Sequence, residues 1–264
     1  MFQKRLISAY SIISFLLIIG TVILAEASDI VTFKGTGTTE AGTPLMLAGK
    51  LTKPQGNGPF PAVVLLHGCS GIMANRDELW AERLASWGYV AFQVDSFGPR
   101  GLSSVCDDIT LLFSIIGKRV QDAYDAKSYL AGLPFVDRNR IGVLGWSHGA
   151  MTTLTVIDQK RDDPFRSAIA FYPYCSTPLV GFNAPLLILI GEKDDWTPAI
   201  SCSLKMPSGQ TKHEVVLKIY PDSHHGFDGE GFDKKIAGHR LLSNPVAAAD
   251  AIIQVKTFLT KHLK

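Results

Sequence analysis

Three short stretches hold the residue types that activate a hydroxyl: "GWSHGA" at 145–150, "GEKDDWTP" at 191–198 and "YPDSHHGFD" at 220–228. A serine hydroxyl is a poor nucleophile near neutral pH. It needs a base within hydrogen-bond reach, and the base needs a carboxylate to orient it and stabilise its charged form. Ser147 lies between Gly145 and Gly149 in G-x-S-x-G spacing, with "RIGVLGW" reading as a strand before it and "HGAMTTLTVID" as a helix after it. A sharp strand-to-helix turn pushes such a serine outward and needs glycines on both sides, where backbone is crowded. His148 is adjacent in sequence, but consecutive side chains leaving the turn diverge, and positions i and i+1 of a helix do not face each other. The base is therefore expected from His224 or His225, and the acid from Asp194 or Asp195. His67 belongs to another motif, "HGCSG"; His213 precedes a strand; His239 reads as part of a late loop; His262 lies near the C-terminus.

These residues need elements to carry them. "DIVTFKGTG" and "LMLAGKLTKP" read as an N-terminal β-hairpin. "AVVLLHG", "YVAFQVD", "RIGVLGW", "SAIAFYP", "PLLILIG" and "EVVLKIYP" are apolar runs of the kind that form strands buried on both faces. Amphipathic helices are expected over "DELWAERLASWG", "GKRVQDAYDAKSYLAGLP", "HGAMTTLTVID" and "PVAAADAIIQVKTFLTKHL". Alternating strands and helices predict one α/β domain with a single, doubly wound, mostly parallel sheet. Ligands of such sheets bind beyond the carboxyl ends of the strands. Ser147, the Asp pair and the His pair each follow a predicted strand, in the chain order of α/β-hydrolases. An oxyanion hole needs two backbone N–H groups. His148, next to the serine, and Cys69, in "HGCSG" after the first buried strand, are the candidates.

The set "VVLLHGCSG", "VDSFGPRG", "RIGVLGWSHGA", "LILIGEKDDWTP" and "YPDSHHGFD" resembles the dienelactone hydrolase family, over nearly all of the chain from about Thr32 onward. The resemblance implies a G-x-x-D-x-x-x-P pattern, so Gly191 and Pro198 select Asp194. It also implies a histidine followed by a small residue and Phe, which selects His225. Asp195 and His224 become second choices. The founding members carry cysteine at the nucleophile position and an acidic residue after the first central strand; Ser147 and "HGCSG" depart from both. The departures point to a serine esterase on the same scaffold. The connection from Tyr174 to Ala184 leaves no room for a large cap domain, so residues 98–118 are expected to line an open pocket. Arg100 is a candidate for meeting a substrate carboxylate, with a structural bond to loop carbonyls as the alternative. Trp146 and Trp196 are candidates for the pocket wall, with core packing as the alternative.

Composition bounds the rest. The chain has 264 residues, 46% hydrophobic and 19% charged, which suits one full core. A net charge of +2 without a basic cluster gives no footprint for nucleic acid. "MFQKR", the uncharged run Leu6–Ala25 and "AEA" read as a signal peptide ending at Ala27, leaving 28–264 as the exported hydrolase domain. Left uncleaved, the run would anchor that domain to a membrane. In an exported protein the four cysteines permit disulfides, and Cys175 with Cys202 is the expected pair. "DSHHGFDGEGFD" fits neither a zinc-protease nor a calcium-loop pattern, so neither a metal nor a cofactor is expected. The expected partner is a small-molecule ester, and oligomeric state is left open. Competing readings are a peptidase, whose relatives of this fold bring a gating domain, and a non-catalytic binding protein of the same fold.

Overall fold

The apolar runs become one eight-stranded sheet in a computed structural model that describes residues 29–39 and 42–264. The expected signal segment lies outside the described residues. The strands are β1 (Asp29–Thr38), β2 (Pro44–Thr52), β3 (Phe60–Leu66), β4 (Val90–Asp95), β5 (Val136–Trp146), β6 (Ala168–Phe171), β7 (Leu186–Gly191) and β8 (Val215–Tyr220). Their spatial order is β1-β2-β4-β3-β5-β6-β7-β8. β1 and β2 form the antiparallel hairpin, β2 pairs antiparallel with β4, and the remaining pairs are parallel. β6 and β7 are buried along their whole length, as a parallel sheet covered on both faces requires.

The long helices are α1 (Leu79–Ser86), α3 (Ile116–Ala131), α4 (His148–Asp158) and α6 (Pro245–Leu263); α2 (Ile109–Ser114) and α5 (Ala199–Ser203) are short. α3 packs on α4. α1 neighbours α6, where the Lys256 ammonium lies over the Trp87 ring. The helices thus cover the sheet in two layers. The link from β6 to β7 carries no helix. Among the described residues no helix is long and apolar enough to cross a membrane.

One element departs from the expected layout. β9 (Asp233–Ile236) and β10 (His239–Leu242) form a separate hairpin, so His239 opens a strand instead of sitting in a loop. Its turn residues, Ala237 and Gly238, both have positive φ, 48° and 85°. Such tight turns favour Asn-Gly or Asp-Gly, and alanine at the first position hides the signal.

Candidate active site

Ser147 stands where β5 meets α4, with φ 54° and ψ −115°. The strain is held by crowding: a Cβ on Gly145 would lie 2.2 Å from the Gly149 carbonyl oxygen, and one on Gly149 would lie 1.9 Å from that of Leu66. The Ser147 N–H donates to Phe171 O at 2.9 Å and its own carbonyl accepts from Met151 N–H at 2.9 Å, so the turn is fixed from the sheet and from the helix. Its hydroxyl lies 2.9 Å from His225 Nε2, and His225 Nδ1 lies 2.8 Å from Asp194 Oδ2. Asp194 also accepts from the N–H groups of Trp196 and Thr197 at 3.0 and 2.8 Å and from the Thr197 hydroxyl at 3.0 Å. Burial pushes the Asp194 carboxyl up, but His225 and these donors outweigh it and hold the group below the usual carboxylate range. An ionised Asp194 selects the His225 tautomer with hydrogen on Nδ1, leaving the Nε2 lone pair for the Ser147 proton.

The second-choice residues do not join this chain. Asp195 is exposed and approaches His239 Nδ1 at 3.7 Å. His224 Nδ1 is buried without a partner. His148 is also no base for Ser147. Its imidazole is buried behind the turn, donates from Nε2 to Leu112 O at 2.7 Å, and accepts at Nδ1 from Arg119. Burial and then the Arg119 charge pull it down to about 3, so it is neutral.

The two expected oxyanion donors are held by different devices. The N–H of His148 belongs to the first turn of α4, where helix geometry supplies no acceptor. The N–H of Cys69 shares a planar peptide with Gly68 O. That carbonyl accepts from the His67 ring at 2.7 Å and from Gly71 N–H at 3.3 Å, which fixes the direction of the Cys69 N–H. Cys69 O in turn accepts from Val105 N–H at 2.9 Å, and the Cys69 sulfur is bonded to Cys106. Sequence reasoning missed this bridge. The signal was available: pairing Cys175 with Cys202, as found, leaves Cys69 and Cys106 as the remaining pair.

A second apolar cluster of Cys69, Phe97, Val105, Cys106, Leu112 and Ile115, with Leu102, Leu111, Met151, Trp196 and Ile236 packed on it, reaches the site through Trp196 beside His225 and Met151 bonded to the Ser147 carbonyl. Residues 98–118 contribute most of the cluster. Trp196 does border the site, with its ring centroid 5.0 Å from His225 and stacked on His239. Trp146 does not. It is fully buried on the opposite side of the strand and donates from Nε1 to Asp228 at 2.9 Å, a carboxylate shared with Trp80 and Tyr172. Arg100 takes the structural role of its two readings: its guanidinium grips Asp122 through two bonds of 2.8 and 2.7 Å and donates to Ser96 O at 2.7 Å. It also edges a cavity of 770 Å³ that shares Leu102, Leu111 and Ile115 with the apolar cluster.

The family model described as the dienelactone hydrolase family matches residues 47–263. The chain belongs to the dienelactone hydrolase family. It is 28% identical over 234 residues to a Bradyrhizobium protein named as a probable 2-oxo-3-(5-oxofuran-2-ylidene)propanoate lactonase, covering 81% of this chain and 88% of that one. It is 30% identical over 146 residues to human dipeptidyl peptidase 8, which spans 51% of this chain but 16% of the peptidase. The chain therefore matches only a small part of the length of the peptidases it resembles. The solved structure of a dienelactone hydrolase-like promiscuous phosphotriesterase from metagenomic libraries superposes with TM-score 0.68 at 17% identity, over 90% of this chain and all of that one, and shares the fold. The family places this chain among the hydrolases.

Proposed function

We propose that this family member is a serine hydrolase that cleaves carboxylic esters through an acyl-enzyme. The observation that carries the reading is the unbroken hydrogen-bonded chain Ser147–His225–Asp194. Ser147 Oγ attacks the acyl carbon while His225 Nε2 takes its proton. Asp194 stabilises the imidazolium. The N–H groups of Cys69 and His148 hold the oxyanion, and His225 returns the proton to the departing alcohol oxygen. Water then repeats the sequence on the acyl-enzyme.

The surroundings favour an uncharged ester with an apolar acyl group. Three nearby guanidinium groups are engaged by the protein itself: Arg76 by Asp77, Arg100 by Asp122, and Arg119 by His67 O and His148. None is left to meet a substrate carboxylate. The apolar cluster offers area for an acyl chain. Two disulfides support export of the domain, since such bonds persist in oxidising compartments.

The test is turnover of p-nitrophenyl esters and labelling by a fluorophosphonate. Wild-type protein is expected to do both and Ser147→Ala neither. Equal turnover by the two proteins ends this reading. The match to a dipeptidyl peptidase favours amide cleavage as the second reading, and faster release from a dipeptidyl p-nitroanilide than from the ester would select it.

A further inference from the structure

Arg119, in α3, is fully buried and makes no ion pair among the described residues. The neighbouring carboxylates are taken, Asp122 by Arg100 and Asp77 by Arg76. Arg119 Nη2 donates to His67 O at 2.7 Å, Nη1 donates to His148 Nδ1, and Nε has no partner. The guanidinium lies 5.1 Å from the Phe97 ring centroid. A cation buried without a carboxylate is strongly unfavourable, so its retention calls for a compensating role. Burial works most against the charge, Asp122 supports it and Arg100 opposes it; the group is pulled down to about 9 and is still a cation at neutral pH.

Its two acceptors are telling. His67 lies two positions before Cys69, and its carbonyl belongs to the peptide preceding the one that aims the Cys69 N–H. His148 is the other donor residue, and its ring is pinned on the far side by Leu112 O. Among the described residues Arg119 ties the 67–71 loop directly to the start of α4 through this buried side.

We propose that Arg119 is a positioning residue of the oxyanion hole: it braces the His67–Cys69 segment against His148, sets the spacing of the two N–H groups, and presents an unpaired charge that favours the negative charge developing between them. This inference rests on the serine-esterase reading. A merely structural arginine would affect melting temperature and leave the kinetic constants alone. A positioning one lowers kcat, spares KM, and weakens the transition state selectively.

The experiment compares Arg119→Met, Arg119→Lys and His148→Ala with wild type on a p-nitrophenyl ester and against a trifluoromethyl ketone, whose adduct with serine carries the oxyanion. Arg119→Met should lower kcat ~100-fold, the scale of losing one oxyanion donor, with KM within ~3-fold and a parallel loss of ketone affinity. Arg119→Lys keeps the charge and should recover ~10-fold of the loss. Wild-type kcat and ketone affinity in a folded Arg119→Met protein overturn the proposal. If that variant does not fold, His148→Ala opens the same tie from its other end while keeping the backbone N–H. A drop in kcat of ~10-fold at unchanged KM is expected of it, and an unchanged kcat overturns the proposal equally. Failure of the esterase reading looks different, because Ser147→Ala would then match wild type.

Discussion

The hydrogen-bonded chain and the wall around it are built by opposite means. Ser147, Asp194 and His225 follow the ends of β5, β7 and β8 by one, three and five positions, so the sheet itself sets their spacing. The wall is assembled from pieces: Leu102 and Leu111 from the 98–118 segment, Met151 from α4, Trp196 from the loop before α5, and Ile236 from the small hairpin. Those pieces are tied by side chains, chiefly the Cys69–Cys106 bridge and the Arg100–Asp122 pair. The spacing of Ser147, Asp194 and His225 is thereby a property of the sheet, and the wall a property of its attachments, with the Cys69–Cys106 bridge joining the two.

The largest effect should come from the chain. Ser147→Ala is expected to lower kcat by roughly 10⁴- to 10⁶-fold and Asp194→Asn by about 10³- to 10⁴-fold, with circular dichroism unchanged. A smaller effect should divide the two disulfides. Opening the first with Cys106→Ser loosens the loop that aims the Cys69 N–H and should cost ~10-fold in kcat. Opening the second with Cys202→Ser should leave kcat within ~2-fold and show instead as ~2–4 kcal/mol of lost stability in urea unfolding. Equal kinetic effects from both would erase the distinction between site bridge and scaffold bridge. In the wall, Trp196→Ala or Ile236→Ala should raise KM for long-chain esters by ~10-fold while kcat on an acetate ester stays within ~3-fold, because each removes apolar area worth ~1–2 kcal/mol. A fall in acetate kcat as large as the rise in KM would break the division between wall and chain.

A separate signal is in acid. His67 and His148 are both lowered by burial, first, and by Arg119. Below about pH 6.5 the unfolded chain binds protons that these folded residues refuse, so stability should fall as pH drops from there, for His148 until its folded value of about 3. Asp194 acts lower: its depressed value contributes stability above the ordinary carboxylate range and loses it as pH falls through the folded value. Urea unfolding between pH 7 and 4 should show the slope, and His148→Gln should flatten it.

The same division explains what could be read in advance. The strands and long helices follow from apolar runs and periodicity, and the serine, acid and histidine follow from their places after those strands. Trp146 takes the core reading, because successive residues of a strand point to opposite faces and the neighbour of a site residue is turned from the site. Arg100 stays open between two roles in the sequence because its partner, Asp122, sits 22 positions on, in α3, and no local pattern announces it. The β9–β10 hairpin is too short and its Ala-Gly turn too unusual to stand out.

Three of the four tryptophans divide along the same line (the fourth, Trp87, is half-buried beside Trp80), and this makes the protein its own optical instrument once Trp87 is replaced by Phe. Trp80 and Trp146 both donate to Asp228 in the interior, whereas the Trp196 ring touches the imidazoles of His225 and His239. Imidazole, above all when protonated, quenches indole emission. Trp196 should therefore be dim in the resting protein and respond when His225 gains a proton or is covered by an acyl group. The interior pair keeps a blue, steady emission until the fold opens. One emission spectrum then carries two separable channels, a site channel that changes during turnover and a core channel that changes on unfolding, with Trp196→Phe as the blank that removes the first.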